Sequence, residues 1–181
     1  KEILRTSLAK GADKAIHISH TEALEPLQVA KLLQELVKKQ PVDAVLLGKQ
    51  SIDSDFGTTT QILGTLLNWN TITYASKIEK EGDKWVITRE IDGGLETVST
   101  QNPFVASADL RLNAPRYANL KAIVAAKKKT IDTLKATDLV KEDVLQNRLK
   151  TVKVVEPKKR SAGVMVGSVD ELVDKLKNEA K

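Results

Sequence analysis

The sequence has 181 residues, 41% of them hydrophobic and only 3% aromatic, which fits one globular domain with an aliphatic core of helices packed on a sheet. The absence of cysteine excludes disulfides, thiolate metal sites and a cysteine nucleophile. The net charge of +5 does not by itself indicate nucleic acid, because the basic residues are interleaved with Asp and Glu.

The first half of the sequence predicts alternating helices and strands. An amphipathic helix at residues 3–9 has no cap in front of it, so we expect the chain to begin within a domain. A short strand at 15–19 precedes a helix that begins after Pro26 and stops before Pro41. The apolar run at 42–47 predicts a strand buried on both faces, joined to the previous strand by a right-handed crossover.

The middle of the sequence predicts an antiparallel meander, because the apolar period changes to two after Ile72. Its three strands are predicted at 71–78, 84–91 and 96–99, with glycine-containing turns between them. Residues 104–106 are predicted to resume the main sheet.

The last third predicts a helix at 120–126, a strand at 131–134 and a terminal helix at 168–178 with a capping box of Ser168 and Glu171. The predicted fold class is therefore α/β, with an open, mostly parallel sheet flanked by helices, an antiparallel meander and a C-terminal arm. The α/β domain is assigned to residues 1–150 and the arm to 151–181. No apolar run reaches the length of a membrane span, which predicts a soluble protein without direct membrane insertion.

The polar loop after the strand at 42–47 is the best candidate site, because ligands of open α/β sheets bind beyond the carboxyl ends of strands. The following helix offers free N–H groups and threonine hydroxyls to a phosphate. The candidate residues are Gly48, Lys49, Gln50, Ser51, Ile52, Asp53, Ser54, Asp55, Phe56, Gly57, Thr58 and Thr59. The alternative is an ordinary loop in which Asp53, Asp55 and Thr58 form turns and a cap.

Other chemical sites have weaker support. Asp53 and Asp55 lie two residues apart without further ligands, which favours turn residues over a magnesium site. The two histidines, His17 and His20, lack the partners of a triad or zinc site and are interpreted as strand-edge residues. Trp69 and Trp85 are interpreted as packing residues.

A second candidate site combines an apolar segment with the densest basic run, at residues 127–129. The simplest interpretation of the lysines is a solvated helix end, where positive charge complements the helix dipole. Because Tyr117, Leu120, Ile123 and Val124 precede them, a small protein-docking surface is the second interpretation.

The sequence around Arg89-Glu90-Ile91-Asp92-Gly93-Gly94-Leu95-Glu96-Thr97-Val98, followed by Pro103, resembles the signature of electron transfer flavoprotein β subunits. Similar stretches span nearly the whole chain. They are Leu46-Leu47-Gly48-Lys49-Gln50, Ile52-Asp53, Ala108-Asp109-Leu110-Arg111-Leu112-Asn113, Pro115-Arg116-Tyr117-Ala118 and Arg160-Ser161-Ala162-Gly163-Val164.

This resemblance implies an α/β subunit that holds AMP structurally at residues 48–59, while FAD is held mainly by a partner α subunit. Gly48, Lys49, Gln50, Asp53 and Thr59 match the AMP loop closely. Gly57 and Thr58 replace an Asn-Gln pair common in mitochondrial relatives, so the resemblance does not carry side-chain hydrogen bonds over to these two positions. The family's N-terminal βα segment is expected to lie outside this sequence.

The resemblance also implies docking of acyl-CoA dehydrogenases, with Leu120 as the apolar anchor. The implied docking residues are Tyr117, Ala118, Asn119, Leu120, Lys121, Ala122, Ile123, Val124, Ala125, Ala126, Lys127 and Lys128. Electrons would pass through FAD to electron transfer flavoprotein-ubiquinone oxidoreductase, in the mitochondrial matrix or a bacterial cytoplasm.

Two other functions are weighed against this one. An ATP-using ligase or hydrolase needs a phosphate-gripping glycine motif and metal ligands, and the sequence contains no Walker or G-x-G-x-x-G motif. A basic nucleic-acid-binding module rests only on the charge and on residues 127–129. The sequence therefore predicts an electron-carrier subunit rather than an enzyme, without a nucleic-acid partner.

Overall fold

The chain forms five α-helices and seven strands in a computed structural model that describes residues 1–160 and 162–179. It divides into two compact units, Lys1–Arg148 and Leu149–Lys181. The elements of the first unit are α1 (Glu2–Ala9), β1 (Ile16–Ser19), α2 (Pro26–Lys39), β2 (Ala44–Gly48), α3 (Thr59–Leu67), β3 (Asn70–Glu81), β4 (Lys84–Ile91), β5 (Gly94–Thr100), β6 (Phe104–Ala108), α4 (Leu120–Lys128) and β7 (Asp132–Lys135).

The larger sheet has five strands in the order β2-β6-β3-β4-β5. Strand β6 pairs in parallel with β2 on one side and with β3 on the other. Strands β3, β4 and β5 are antiparallel neighbours joined by short turns, which confirms the predicted meander. The sheet is open and mixed, as expected for the predicted α/β class.

Strand β6 is the centre of the core. Because side chains alternate across a strand, Phe104 and Ala106 pack with Ile72 and Ile87 on one face of the sheet, and the Trp85 ring packs at a tilt against Phe104. Val105 faces the opposite side and packs beneath the helices. The prediction that residues 104–106 resume the main sheet is therefore confirmed.

The helical layer over Val105 consists of α2 and α3. Ala30 of α2 and Leu63 of α3 are fully buried in the same cluster as Val105. Helix α2 begins at Pro26, one residue earlier than predicted, and ends at Lys39, before Pro41 as predicted. Gln28 closes its N-terminus, where the Gln28 Oε1 accepts the Glu25 N–H at 2.7 Å.

The prediction that residues 42–47 form a strand buried on both faces is wrong. Strand β2 lies at an edge of the five-stranded sheet, and Leu46 is 57% exposed. The apolar run identified the strand correctly, but hydrophobicity alone does not tell which strands become neighbours. The strand buried on both faces is β6.

The expected crossover between the first two strands is also wrong for the described residues. Strand β1 does not join the sheet that contains β2; it pairs in parallel with β7 to form a separate two-stranded sheet. The partner of β1 lies more than a hundred residues away in sequence, beyond the reach of a local pattern. His17 lies in β1 and His20 directly follows it, as predicted.

The second unit contains helix α5 (Val169–Asn178). The Ser168 Oγ accepts the Glu171 N–H at 3.2 Å, which confirms the predicted N-cap. The Glu171 carboxylate reaches back to the Gly167 N–H at 2.8 Å, one residue before the position that a capping box requires. Ser161, which belongs to the family-like stretch at residues 160–164, lies outside the described residues.

We predict that Gly64→Ala destabilises the first unit. A Cβ at Gly64 would lie 1.8 Å from the Thr71 Oγ1 and 3.0 Å from its Cβ, so α3 would have to move away from β3. Overpacking of this kind costs about 2 kcal/mol of unfolding free energy. Denaturant unfolding checks it, with Gly93→Ala as the matched control because a Cβ there meets nothing within 4 Å. Equal unfolding free energies for the two variants would contradict the prediction.

Candidate functional site

The loop at residues 48–59 runs from the carboxyl end of β2 to the N-terminus of α3, where the sequence analysis located it. Gly48, the last residue of β2, is exposed, and a Cβ built on it meets nothing within 4 Å. The space beside its backbone is therefore open to a ligand. This is the position at which open α/β sheets bind their ligands.

Hydrogen bonds within the loop hold its outer part in a compact turn. The Ser51 N–H donates to the Phe56 carbonyl at 2.9 Å, and the Asp55 N–H donates to the Ser51 carbonyl at 3.0 Å. The Asp53 carboxylate accepts from the Ser51 hydroxyl and from the Ser54 N–H. The hydrogen bond from Ser51 is the main cause of the lowered pKa of Asp53. Asp53 therefore serves as a turn residue.

The end of the loop leaves two hydroxyl groups without partners. Thr58 occupies the N-cap position of α3, but its side chain makes no capping hydrogen bond. Neither the Thr58 nor the Thr59 hydroxyl makes a hydrogen bond within the part of the chain that the structure describes. Both therefore stay free to contact an anion at the positive end of the helix dipole.

Lys49 anchors the start of the loop to the end of β6. Its ammonium Nζ lies 2.8 Å from the Oδ2 of Asp109, whose side chain is only 2% exposed. The hydrogen bond from Lys49 holds the pKa of Asp109 below its usual range against the opposing effect of burial, and the same bond raises the pKa of Lys49. The Asp109 Oδ1 also accepts the Arg111 N–H at 3.1 Å.

Tyr74, which lies next to the Lys49–Asp109 ion pair, has an unusual backbone conformation. Its φ of 60° lies in the left-handed region, which costs a bulky residue about 1–2 kcal/mol. The register of β3 against β6 breaks between Ile72 and Ala75, so Tyr74 lies within a bulge. Its ring faces the Lys49 ammonium, 5.3 Å from the ring centroid.

An open cleft of about 470 Å³ lies between the start of the loop and the meander. Its walls carry charges of both signs around one aromatic ring. The lining residues are Lys49, Gln50, Tyr74, Arg89, Glu90, Ile91 and Asp92. Arg111 reaches this region from the segment after β6, with its Nε 3.0 Å from the Glu90 Oε1.

The second predicted site, residues 117–128, forms an exposed surface around α4. Asn119 caps the helix, where its Oδ1 accepts the Ala122 N–H at 2.8 Å. Tyr117 is 99% exposed and Leu120 is 76% exposed. The three residues at the basic end, Lys127, Lys128 and Lys129, are also exposed, in accord with a solvated helix end. The outer face of α4 therefore combines apolar and basic groups.

The opposite side of α4 is fixed to the first helix of the chain. Ala126 is buried against Leu8 and Ala15. The Arg5 guanidinium donates to the Ala126 carbonyl at 2.6 Å and also to the Lys129 carbonyl, which satisfies acceptors at the C-terminal end of the helix. The Lys129 Nζ returns a hydrogen bond to the Ala12 carbonyl at 2.9 Å. These contacts attach α4 to the N-terminal part of the chain.

Sequence reasoning missed three residues that the structure joins to these sites. Asp109 was noted only as part of a family-like stretch, yet it pairs with Lys49 across 60 positions of sequence. Tyr74 was assigned to a strand without a role, and Arg5 to a helix. None of the hydrogen bonds or ion pairs among the described residues joins 48–59 to 117–128, so the two predicted sites are separate.

Two structural features bear on metal binding and on membrane insertion. Within residues 1–160 and 162–179, no three His, Asp or Glu side chains are grouped so that they could hold a metal ion. In the same described ranges, no helix has the length and apolar character to cross a bilayer.

Comparison with known proteins identifies the family. A sequence model of the electron transfer flavoprotein domain matches residues 1–139. The electron transfer flavoprotein β subunit of Dictyostelium discoideum is 48% identical over 180 residues, which are 99% of this chain and 71% of that protein. The Mus musculus β subunit is 49% identical over 181 residues, 98% of this chain and 70% of that protein. The chain belongs to the electron transfer flavoprotein β-subunit family.

A bacterial relative is similar to the same extent. The electron transfer flavoprotein β subunit of Bradyrhizobium diazoefficiens is 46% identical over 179 residues, which are 99% of this chain and 71% of that protein. The resemblance found in the sequence is thereby confirmed. Members of the family are named as subunits of an electron carrier, so this chain is a carrier subunit rather than an enzyme. The ligase or hydrolase alternative is accordingly set aside.

We predict that Asp109→Asn lowers the thermal midpoint at neutral pH by roughly 5 °C, because the buried amide cannot replace the charged hydrogen bond to Lys49. The lowered pKa of Asp109 means that its contribution is present above pH ~4 and is lost as the pH falls further. The raised pKa of Lys49 means that its contribution is present below pH ~10 and is lost above that value.

Thermal unfolding of both proteins between pH 3 and pH 11 measures this effect. The difference in midpoint between wild type and Asp109→Asn is expected to be constant from about pH 5 to pH 9 and to shrink at both ends. A difference that grows as the pH falls below 4 would rule out a charged Asp109 in the folded state.

Proposed function

We propose that this chain is the β subunit of a heterodimeric electron transfer flavoprotein, binds AMP at residues 48–59 as a structural element, and docks dehydrogenases through residues 117–128. The observation that supports the AMP assignment best is the open backbone at Gly48 combined with the unpaired hydroxyls of Thr58 and Thr59. The family match adds the electron-carrier role.

The geometry of the loop fits a nucleotide phosphate. The phosphate would lie at the N-terminus of α3, where free N–H groups and the helix dipole favour negative charge. Lys49 supplies a positive charge at the other end of the loop, and its ammonium is held in place by Asp109 rather than free to turn into solvent. Because these groups bind and orient without a nucleophile or general base, AMP is a structural component in this proposal.

We expect the chain, co-produced with an α subunit from the same source, to release AMP and FAD on denaturation. The phosphate contacts proposed for residues 48–59 predict about one AMP per heterodimer, measured by liquid chromatography of the released nucleotides. Thr58→Val/Thr59→Val removes the free hydroxyls and is expected to lower the AMP content. A wild-type heterodimer that releases neither nucleotide would overturn the proposal.

The proposed docking surface has the composition of an interaction hot spot. Leu120 projects from the first turn of α4 as an exposed apolar anchor, and Val124 lies one turn further along the same helix. Lys127 and Lys128 in the last turn of α4 add positive charge at the other end of the same helix. An apolar anchor with a charged rim favours a partner that offers an apolar pocket with an acidic border. We assign acyl-CoA dehydrogenases to this surface.

We expect Leu120→Ala to slow reduction of the heterodimer by an acyl-CoA dehydrogenase about thirtyfold or more, because loss of an anchor residue costs at least about 2 kcal/mol of binding. The rate is measured by flavin absorbance under anaerobic conditions, and the flavin content is expected to be normal. Leu95→Ala, which truncates an exposed leucine of the meander, is the matched control. If both variants were reduced at the wild-type rate, the docking assignment would fail.

The remaining parts of the proposal concern the partner and the location. The exposed apolar face of α5, formed by Val169, Leu172, Val173 and Leu176, suits contact between the C-terminal arm and the α subunit. FAD, held mainly by that subunit, would supply the redox chemistry and pass electrons to electron transfer flavoprotein-ubiquinone oxidoreductase. An Oryza sativa relative is named mitochondrial, which favours the matrix, with a bacterial cytoplasm as the alternative.

A further inference from the structure

Tyr74 is held in its unfavourable conformation from both sides of β3. Its own N–H donates to the hydroxyl of Ser107, a buried residue of β6, at 2.9 Å. On the other side, Arg89 of β4 donates to the Thr73 carbonyl at 3.1 Å and to the Thr73 hydroxyl at 2.8 Å. A bulky residue kept at positive φ by two neighbouring strands is a recurrent sign of a functional position.

The side chain of Tyr74 reaches both ends of the 48–59 loop. At one end, its ring lies 5.3 Å from the Lys49 ammonium. At the other end, its hydroxyl lies 3.8 Å from the point where Gly57 would carry a Cβ. Gly57 immediately precedes the N-cap of α3, so the Tyr74 hydroxyl lies close to the space that a side chain at position 57 would enter.

The Tyr74 hydroxyl makes no hydrogen bond among residues 1–160 and 162–179, although the residue is half-buried and its N–H is bonded to Ser107. Packing therefore explains the ring but not the hydroxyl. We propose that Tyr74 is an additional residue of the nucleotide site, and that its hydroxyl donates to a phosphate oxygen in place of the side chain that Gly57 lacks. The proposal rests on the AMP-binding function proposed above.

The chemistry at this position favours a phosphate over the sugar or the base. The Lys49 ammonium lies 5.3 Å from the centroid of the Tyr74 ring, and the Tyr74 hydroxyl lies near Gly57, in the segment that leads into the N-terminus of α3. Both attract negative charge. A neutral hydroxyl adds a directed donor between them without placing a second cation beside Lys49.

The experiment compares Tyr74→Phe with wild type in the heterodimer after AMP has been removed by mild denaturation and refolding. Phenylalanine keeps the ring over Lys49 and removes only the hydroxyl. We expect AMP affinity, measured by calorimetry, to fall about tenfold, while adenosine affinity stays within twofold. Thr97→Val, which removes a hydroxyl of β5 outside the cleft, is the matched control and is expected to bind AMP as wild type does.

A second pair of variants separates a phosphate contact from a structural role. A Cβ at Gly57 has its nearest neighbour at 3.4 Å, an ordinary contact, so the backbone there accepts a Cβ, and Gly57→Asn brings an amide donor towards the same space. In the Tyr74→Phe background, Gly57→Asn is expected to restore at least half of the lost AMP affinity in free-energy terms. A role of the hydroxyl in folding would give no such rescue.

These measurements distinguish a failure of the Tyr74 inference from a failure of the proposed AMP binding. If the wild-type heterodimer binds no AMP, the proposed nucleotide function fails and this inference fails with it. If wild type binds AMP and Tyr74→Phe binds it equally tightly, only the inference is overturned. An equal loss for AMP and adenosine would also overturn it, because the hydroxyl would then contact the nucleoside rather than the phosphate.

Discussion

The ion pair between Lys49 and Asp109 is the interaction on which the arrangement of the candidate site depends. Asp109 immediately follows β6, the strand at the centre of the core, and is itself buried. A buried carboxylate needs a partner, because desolvating an isolated charge costs several kcal/mol. Lys49 meets this need and in doing so fixes the first residue of the loop after β2. The core of the sheet thus determines where the loop begins.

Strand β6 also positions Tyr74 of β3, on the other side of the candidate site. Ser107, one residue before the end of β6, accepts the backbone N–H of Tyr74, and the Asp109 N–H donates to the Ala75 carbonyl at 2.8 Å. These two hydrogen bonds flank the bulge in β3 and turn the tyrosine ring out of the sheet towards the loop. One buried strand therefore positions residues from β2, β3 and the following segment, whose sequence positions are widely separated.

Sequence patterns identified the individual elements well because helices and strands depend on local periodicity. The loop at 48–59 could be located because a strand, a glycine and a helix start are adjacent in sequence, and the general rule for open α/β sheets then applies. The pairing of Lys49 with Asp109 could not be found in this way, since no local signal links residues 60 positions apart. Likewise, the exposed edge position of β2 depends on strand order, which an apolar run does not encode.

The hydrogen bonds from Arg5 to the carbonyls at the end of α4 affect how the exposed face of α4 can change in evolution. The buried side of α4 relies on alanine and on main-chain carbonyls, neither of which depends on the residues that face outward. Substitutions on the outer face can therefore accumulate without weakening the attachment of the helix. Under the docking proposal, a few surface changes can alter which dehydrogenases this carrier subunit recognises while its folding stability stays nearly constant.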